Sequence, residues 1–476
     1  MSVILRIARE EWRSMRRNQV AVIGLLLLTV LTLVAALTAY EHQYHANAER
    51  ARYQTETNQA FEAQPDRHPH RVAHYGHFLF RPLNPLAAFD SGIDAFTGNT
   101  LFLEAHRQNS ANFGDVRQSS MLLRFGQLTP AFVLQVLAPL LLIFVGHAAV
   151  AREREYGTLR ILLAQGVRSR QLVVGKLLAL SGFAALTLLP ATVALVWLVI
   201  SGQAAWPLVL LLVAGYAAWL LLWVMIVVLA SSSFVRGRDA LLSLLAVWAV
   251  LVILLPRWVP DFASDVVTLP TRFETEINVE REYLALGDAH NPDDPKFAEF
   301  RDRVLRQYGV TRIEDLPVNF KGLVGEEGER QSSELFNRYA AVAFGLQAQQ
   351  NRLVDGFGLL SPTLALRRLS MAASSTDLTS FRRFLEQGEQ YRYGLVQGLN
   401  RLHAEHLHYV DDSDPDKENR ISHTHWQRFP TFHYEAAPVS DSLRGAALSG
   451  GILLLWLLIL ASLTLWSAGR LGRAGR

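Results

Sequence analysis

Arg152-Glu153-Arg154-Glu155-Tyr156-Gly157-Thr158 separates two apolar runs, residues 128–150 and 177–200. A helix rising 1.5 Å per residue needs roughly 20 apolar residues to cross a hydrocarbon layer about 30 Å thick, and both runs meet that length. The charged, glycine-broken stretch therefore reads as a hairpin between two membrane spans. The same test selects residues 20–40, 207–230, 240–258 and 444–467, of which 240–258 is the shortest. Half of the 476 residues are hydrophobic, and they are clumped into these runs instead of being spread with helix or strand periodicity. The expected fold class is an all-α integral membrane protein with six transmembrane helices. The basic start followed by an apolar run has the order of a signal peptide, but the run is longer than the roughly 7 to 15 residues of a cleaved one, so an uncleaved anchor is expected.

Lys and Arg in short flanking loops set orientation. Residues 1–19, 151–176, the turn with Arg236 and Arg238, and the tail 468–476 hold 16 cations against 5 carboxylates, and the short loop 201–206 holds no cation. The expected placement is a multi-pass protein of the bacterial inner membrane with both termini cytoplasmic. The insertions, residues 41–127 and 259–443, carry 28 cations and 38 carboxylates and are expected outside. The net charge of +3 averages over this split, so the basic residues read as topology signals and not as a nucleic-acid surface. With no cysteine, a disulfide framework and thiolate metal sites are excluded.

Residues 1–19 mix Val3, Ile4, Ile7 and Met15 with five arginines around Trp12, a pattern for an amphipathic elbow helix, with a solvated basic tail as the alternative. Each insertion is far longer than a connection requires, so both are expected to fold. Helical patterning over 334–357 and 377–409, breaks at 291–295, 316–317, 361–362 and 411–416, and sparse strand signals predict a large, mainly helical extracytoplasmic domain built from the two insertions. Residues 359–373 are apolar around Arg367 and Arg368 and are open to two readings, lying on the outer membrane face or packing within the helical domain.

In the hairpin, Gly157 permits a sharp turn, and residues 158–165 would form a short helix with Leu159, Leu162 and Leu163 on one face. A plain charged cap with a membrane-hugging loop is one reading; a partner-binding helix is the other. Glu153-x-x-x-Gly157-Thr158-Leu159, followed by the basic turn 168–170 and Gly175-Lys176-Leu177, resembles ABC type-2 exporter permeases. The resemblance covers the spans and the inner loops, not the insertions, which are similar to those of a subgroup whose outer domain has no assigned function. It implies an amphipathic N-terminal helix, six spans per subunit, and a coupling helix after the second span that docks on a separate ATPase. Carried onto this chain, the ATPase-coupling residues are Arg152, Glu153, Arg154, Glu155, Gly157, Thr158, Leu159 and Leu162. The implied partners are an ABC ATPase binding ATP-Mg and a second permease subunit, identical or related. An extracytoplasmic partner would receive cargo or mechanical force.

No phosphate-binding Gly-x-x-x-x-Gly-Lys-Ser/Thr motif occurs, because Gly175-Lys176 is followed by Leu177, so no catalytic residue and no cofactor are expected in the chain itself. No ionisable residue except His147 is expected within the spans, which disfavours an ion-coupled transporter. Small residues such as Gly182 and Gly215 allow close helix contact, within the chain or between subunits. Of 15 histidines, 14 lie in the insertions. His403 with His406 would share a helix face and His423 with His425 a strand face; these and His408 are the metal-ligating candidates. Pro69 and Gly76 are expected to break any helix through the first histidine group, and no complete ligand set is expected. The competing function is a membrane scaffold or sensor whose outer domain binds a ligand, for example a metal.

Overall fold

The Ser2 hydroxyl accepts the N–H of Leu5 and starts helix α1 (Val3–Arg17). Asn18 ends α1 in extended backbone, and its side-chain oxygen accepts the Val20 N–H to start α2 (Gln19–Glu62). One residue thus makes the elbow. The computed structural model describes residues 2–109, 128–414 and 416–474; the end of the first insertion, residues 110–127, lies outside them. It is 76% helical, and its only sheet among the described residues is one antiparallel pair, β1 (His77–Phe80) with β2 (Thr100–Leu103), in the register His77↔Leu103.

Among the described residues, six helices are long and apolar enough to cross a membrane: α2; α4 (Pro130–Glu155); α6 (Ser169–Ile200); α7 (Trp206–Ser233); α8 (Gly237–Val266); and α14 (Val439–Ala474). Between α2 and α4 lies the short α3 (Pro69–Ala73), and α5 (Thr158–Ala164) follows α4. Helix α8 is longer than the shortest predicted run, because Leu255–Val266 continues it past the apolar stretch. Helix α1 lies along α6 and is not a free tail. A Cβ on Gly175 would meet the Ile7 side chain at 2.7 Å, and one on Gly182 would meet Trp12 at 3.5 Å.

Helix α2 continues well beyond residue 40. Its extension holds the β-pair by side chains: Asn47 receives the Leu83 N–H and donates to its carbonyl (2.7 and 3.0 Å), and Gln54 does the same for Phe80 N–H and Phe78 C=O. The rest of the head comes from α9 (Arg272–Leu286), α10 (Ala298–Tyr308), α11 (Phe320–Gly356), α12 (Pro362–Ser374) and α13 (Leu378–His406). Helices α11 and α13 approach so closely that a Cβ on Gly322 would overlap the Ala404 backbone. Buried between them, Arg392 contacts Glu329 (2.6 Å) and Glu389 (2.7 Å). The β-pair adds Leu79, Leu101 and Leu103 to a cluster with Phe384 and Phe432.

Helix α12 takes neither arrangement expected for residues 359–373. It packs against α7 and α14, with Ala365, Leu366 and Leu369 in the same core as the spans. Gly215 makes room for Leu369, whose Cδ2 would lie 2.8 Å from a Cβ there. Arg367 and Ser370 join a buried polar group: Gln135 donates to the Tyr216 hydroxyl (2.7 Å), which bonds Ser370 (3.0 Å), while Arg367 Nε reaches Gln135 (3.4 Å). The spans therefore border a buried ionisable group, Arg367, that belongs to none of them and is brought in by α12 from a distant part of the chain. Two π-helical stretches, Val133–Leu137 and Ala249–Leu254, disturb the spans. Their carbonyls find outside donors: Trp219 to Leu134, Trp248 to Val136, and the hydroxyls of Ser361 and Thr363 to Leu251, the last two at 2.8 Å.

His77, at the start of β1, is 3% exposed, and both ring nitrogens lack a partner. Burial pushes its pKa down to about 4. Below its unfolded value of about 6.5, the unfolded chain takes up a proton that the folded head refuses until near pH 4. This contribution to stability is therefore lost as pH falls through that window, by about 2 kcal/mol at pH 5. His77→Phe, which preserves the edge contact with Phe61, is expected to flatten the dependence of melting temperature on pH between 7 and 5. An unchanged slope contradicts the assignment.

Candidate functional site

The hairpin between α4 and α6 is built by two left-handed glycines. Gly157 (φ +73°) separates the last turn of α4 from α5, and Gly166 (φ +87°) ends α5. A Cβ at either position would meet nothing within 4 Å, so conformation and not space requires glycine there. Leu159 is buried with Val150, Leu172 and Leu471, and Leu162 and Leu163 are partly buried beside them. The apolar face expected to need a partner is thus largely covered by the chain itself.

The charged residues face inward more than outward. Arg154 donates to the carbonyls of Ser232, Ser233 and Phe234 (3.0–3.2 Å), closing the end of α7 with a cation where the helix dipole favours one. Glu155 accepts the Gly237 N–H (3.1 Å) at the start of α8. Ser231 supplies its hydroxyl oxygen to the N–H groups of Val150 and Ala151. Glu153 accepts from Thr158 and meets Lys176 Nζ at 3.3 Å. Lys176 in turn contacts Glu11 of α1 at 2.5 Å, and Arg152 reaches the same carboxylate at 3.7 Å. Lys176 is 4% exposed and Glu11 6%, so this node is well removed from water.

Of the residues inferred from sequence, then, Arg152, Glu153, Arg154 and Glu155 connect the hairpin to α1, α6, α7 and α8. Thr158 braces Glu153, Gly157 makes the turn, and Leu159 and Leu162 seat α5. The outward surface belongs to residues that the motif does not single out: Tyr156 (75% exposed), Ile161 (57%), Arg160, Ala164 and Gln165. The helical spacing of 161, 164 and 165 carries that signal, since they lie opposite Leu159, Leu162 and Leu163.

At the other end of the molecule the predicted histidines do not form one group, although His403 converges with His68 and Asp412, whose ligating atoms lie within 4.8 Å of one another. His403 and His68 both bond Asp412 (2.9 and 3.0 Å), which also receives Asn319 and lies near Lys321, so this group is internally satisfied. His406 lies beside His425 with the rings tilted (4.5 Å between centroids), His423 bonds Asp66 (2.7 Å), and His408 precedes the single turn Tyr409–Asp412. Residues His423–Arg428 form a 3-10 turn and not the strand expected for His423 and His425. A different set converges. Pro69 occupies the first turn of α3 and starts that helix instead of breaking it, placing His70 and His74 one turn apart, and His106 and His290 come alongside. One ligating nitrogen from each of these four imidazoles lies within 4.8 Å of the others. Burial first, and the neighbouring imidazoles second, push His70 down to about 2. The His70-x-x-x-His74 spacing is the readable half of this signal.

Residues 5–276 match the family described as ABC-2 family transporter protein, and residues 272–435 match a domain of unknown function, DUF3526. No curated protein matches the chain.

Lys176→Met leaves Glu11 and Glu153 without their shared cation. It is expected to lower the unfolding free energy of the detergent-solubilised protein by about 3 kcal/mol. Adding Glu11→Gln should recover part of that loss, since the paired changes share one interaction. Additive losses in the two variants would show that Lys176 and Glu11 are not coupled.

Proposed function

This chain belongs to the ABC-2 transporter family, and we propose that it is the permease subunit that receives the stroke of a separate ATPase through the hairpin 151–176. The observation that carries this reading is the wiring of the hairpin. Arg154 and Glu155 hold the facing ends of α7 and α8, and Glu153 is joined through Lys176 to α6 and α1. A displacement of α5 is thereby delivered to several helices at once. The exposed Tyr156, Arg160, Ile161, Ala164 and Gln165 meet the ATPase, while the bonds of Glu153 to Lys176 and of Glu155 to Gly237 set the position of that surface.

In this reading the hairpin end is cytoplasmic, in keeping with the excess of Lys and Arg there, and the head is extracytoplasmic across the bacterial inner membrane. ATP-Mg binds the partner ATPase. A second permease subunit, the same chain or a relative, completes the transport unit, in which ATPase closure moves the spans to export a substrate or to transmit force to a partner of the head. The alternative of a scaffold or sensor without an ATPase predicts a different result in the same experiment.

Full-length protein captured from its native membranes is expected to bring down a phosphate-loop ATPase, identified by mass spectrometry. Ile161→Asp with Tyr156→Asp places charge on the outward surface without touching the buried node, and should reduce the captured ATPase at least about tenfold, a change of about 1.4 kcal/mol in binding. The melting temperature should stay the same. Capture of no ATPase, or equal capture by the variant, overturns the proposal.

A further inference from the structure

We propose that His70, His74, His106 and His290 form a binding site for one late first-row transition-metal ion of the zinc and copper class. The donor set comes first. Four imidazoles present one nitrogen each within a 4.8 Å span, and all six ring pairs have centroids 4.6–6.1 Å apart. Metal–nitrogen bonds of about 2.0–2.1 Å put tetrahedral donors about 3.3 Å apart. The Nε2 atoms of His70 and His74 are already 3.1 Å apart, and every other ligating pair lies within 4.8 Å. Neutral imidazole is the usual ligand for zinc and copper, and an all-nitrogen set without carboxylate disfavours magnesium and calcium.

The surroundings have the character of a ligating shell. The far nitrogen of His106, Nδ1, lies 3.3 Å from Glu329, and Nδ1 of His290 lies 3.0 Å from Asp288. Carboxylates in that position fix the tautomer and aim the opposite nitrogen at the ion. His106 Nε2 is buried and has no hydrogen-bond partner. His106 is 7% exposed and sits at φ +63°, a strained conformation for a non-glycine residue, held by its own N–H on Glu329 (3.0 Å). A network of imidazoles bonding only to one another accounts for the His70–His74 contact but leaves that buried nitrogen unsatisfied. His74 and His290 are exposed, which gives an ion a route in.

The ligands come from separated parts of the chain. His70 and His74 lie on α3 and at its C-terminal end, His106 follows β2, and His290 lies in the loop after α9. Helix α9 buries no residue; it lies on α11 through the Tyr283–Phe336 ring contact and the Tyr339–Glu282 hydrogen bond, and reaches the first insertion through the exposed pair Arg107 with Glu280, which contributes little. A bound ion therefore fastens α9 and its loop to the first insertion, joining the part that matches the transporter family to the part that matches the domain of unknown function.

The test uses the full chain in detergent, without an oligohistidine tag, stripped of metal and titrated separately with buffered free Zn²⁺ and Cu²⁺. Elemental analysis should find a single tightly held ion per chain, and the Cu²⁺ form should show electron spin resonance couplings to imidazole nitrogens. His74→Gln with His290→Gln should weaken binding about 100-fold or more. His403→Gln, in the internally satisfied group, should not weaken it. In the wild type alone, the ion should protect the 287–295 loop from limited proteolysis, a readout that needs no variant to fold. Wild type that holds neither ion more tightly than the double variant, or a loop equally cleaved with and without ion, overturns the proposal.

Discussion

Arg392 is buried between α11 and α13, and the position of the head elements follows from how its charge is matched. A guanidinium removed from water costs several kcal/mol unless it is both paired and hydrogen-bonded. Glu389 accepts two of its N–H groups, and Glu329, Ser333 and the Glu104 carbonyl accept the others. Because Glu329 still has an oxygen to offer, the backbone and ring of His106 are drawn onto it, and the chain leaving β2 is fixed at a strained residue. Removing the carboxylate would leave the arginine, the loop and the imidazole without their common partner. The node at the opposite end of the molecule, Lys176 with Glu11 and Glu153, follows the same logic with one cation and two acids, and there it joins helices instead of loops.

Within the spans, the organising constraint is the backbone. Apolar surroundings supply no hydrogen bonds, so a π-helical stretch, which shifts the regular ladder, is tolerated only where a donor is brought to the displaced carbonyl. Indole N–H groups of Trp219 and Trp248 serve the stretch in α4, and hydroxyls from the start of α12 serve the one in α8. That dependence explains why a piece of the second insertion penetrates the bundle. Ser361 and Thr363 anchor it, Gly215 admits Leu369, and Trp456 donates to the Gly358 carbonyl at its entrance.

The spans and the hairpin are legible in the sequence because each depends on local properties: run length, clustered arginines, and a glycine where the backbone turns. Residues 158–164 are helical as their pattern implies. What local pattern does not carry is the identity of partners. Arg154 looks like any surface arginine until the end of α7 is placed beside it, and Glu155 looks free until α8 begins at its carboxylate. Arg367 reads as an interruption in an apolar stretch, and its matching group, Gln135 and Tyr216, lies on two other helices. The histidines show the same limit. His70 and His74 are four residues apart, one helical turn, but His106 and His290 are brought to them only by the β-pair and the loop after α9. Pro69 is misleading in isolation, since the first turn of a helix is where proline is welcome.

Helix α2 has one further consequence. Its 44 residues form a continuous rod about 66 Å long, with Asn18 as its only break from α1. Its lower turns lie beside α6, and its upper turns grip the β-pair through Asn47 and Gln54. Over that length angle converts into distance: a tilt of about 5° at Asn18 would carry the far tip through about 6 Å. Any rotation that α2 followed as a rigid unit would therefore be felt most at the β-pair, at the far end of the same helix.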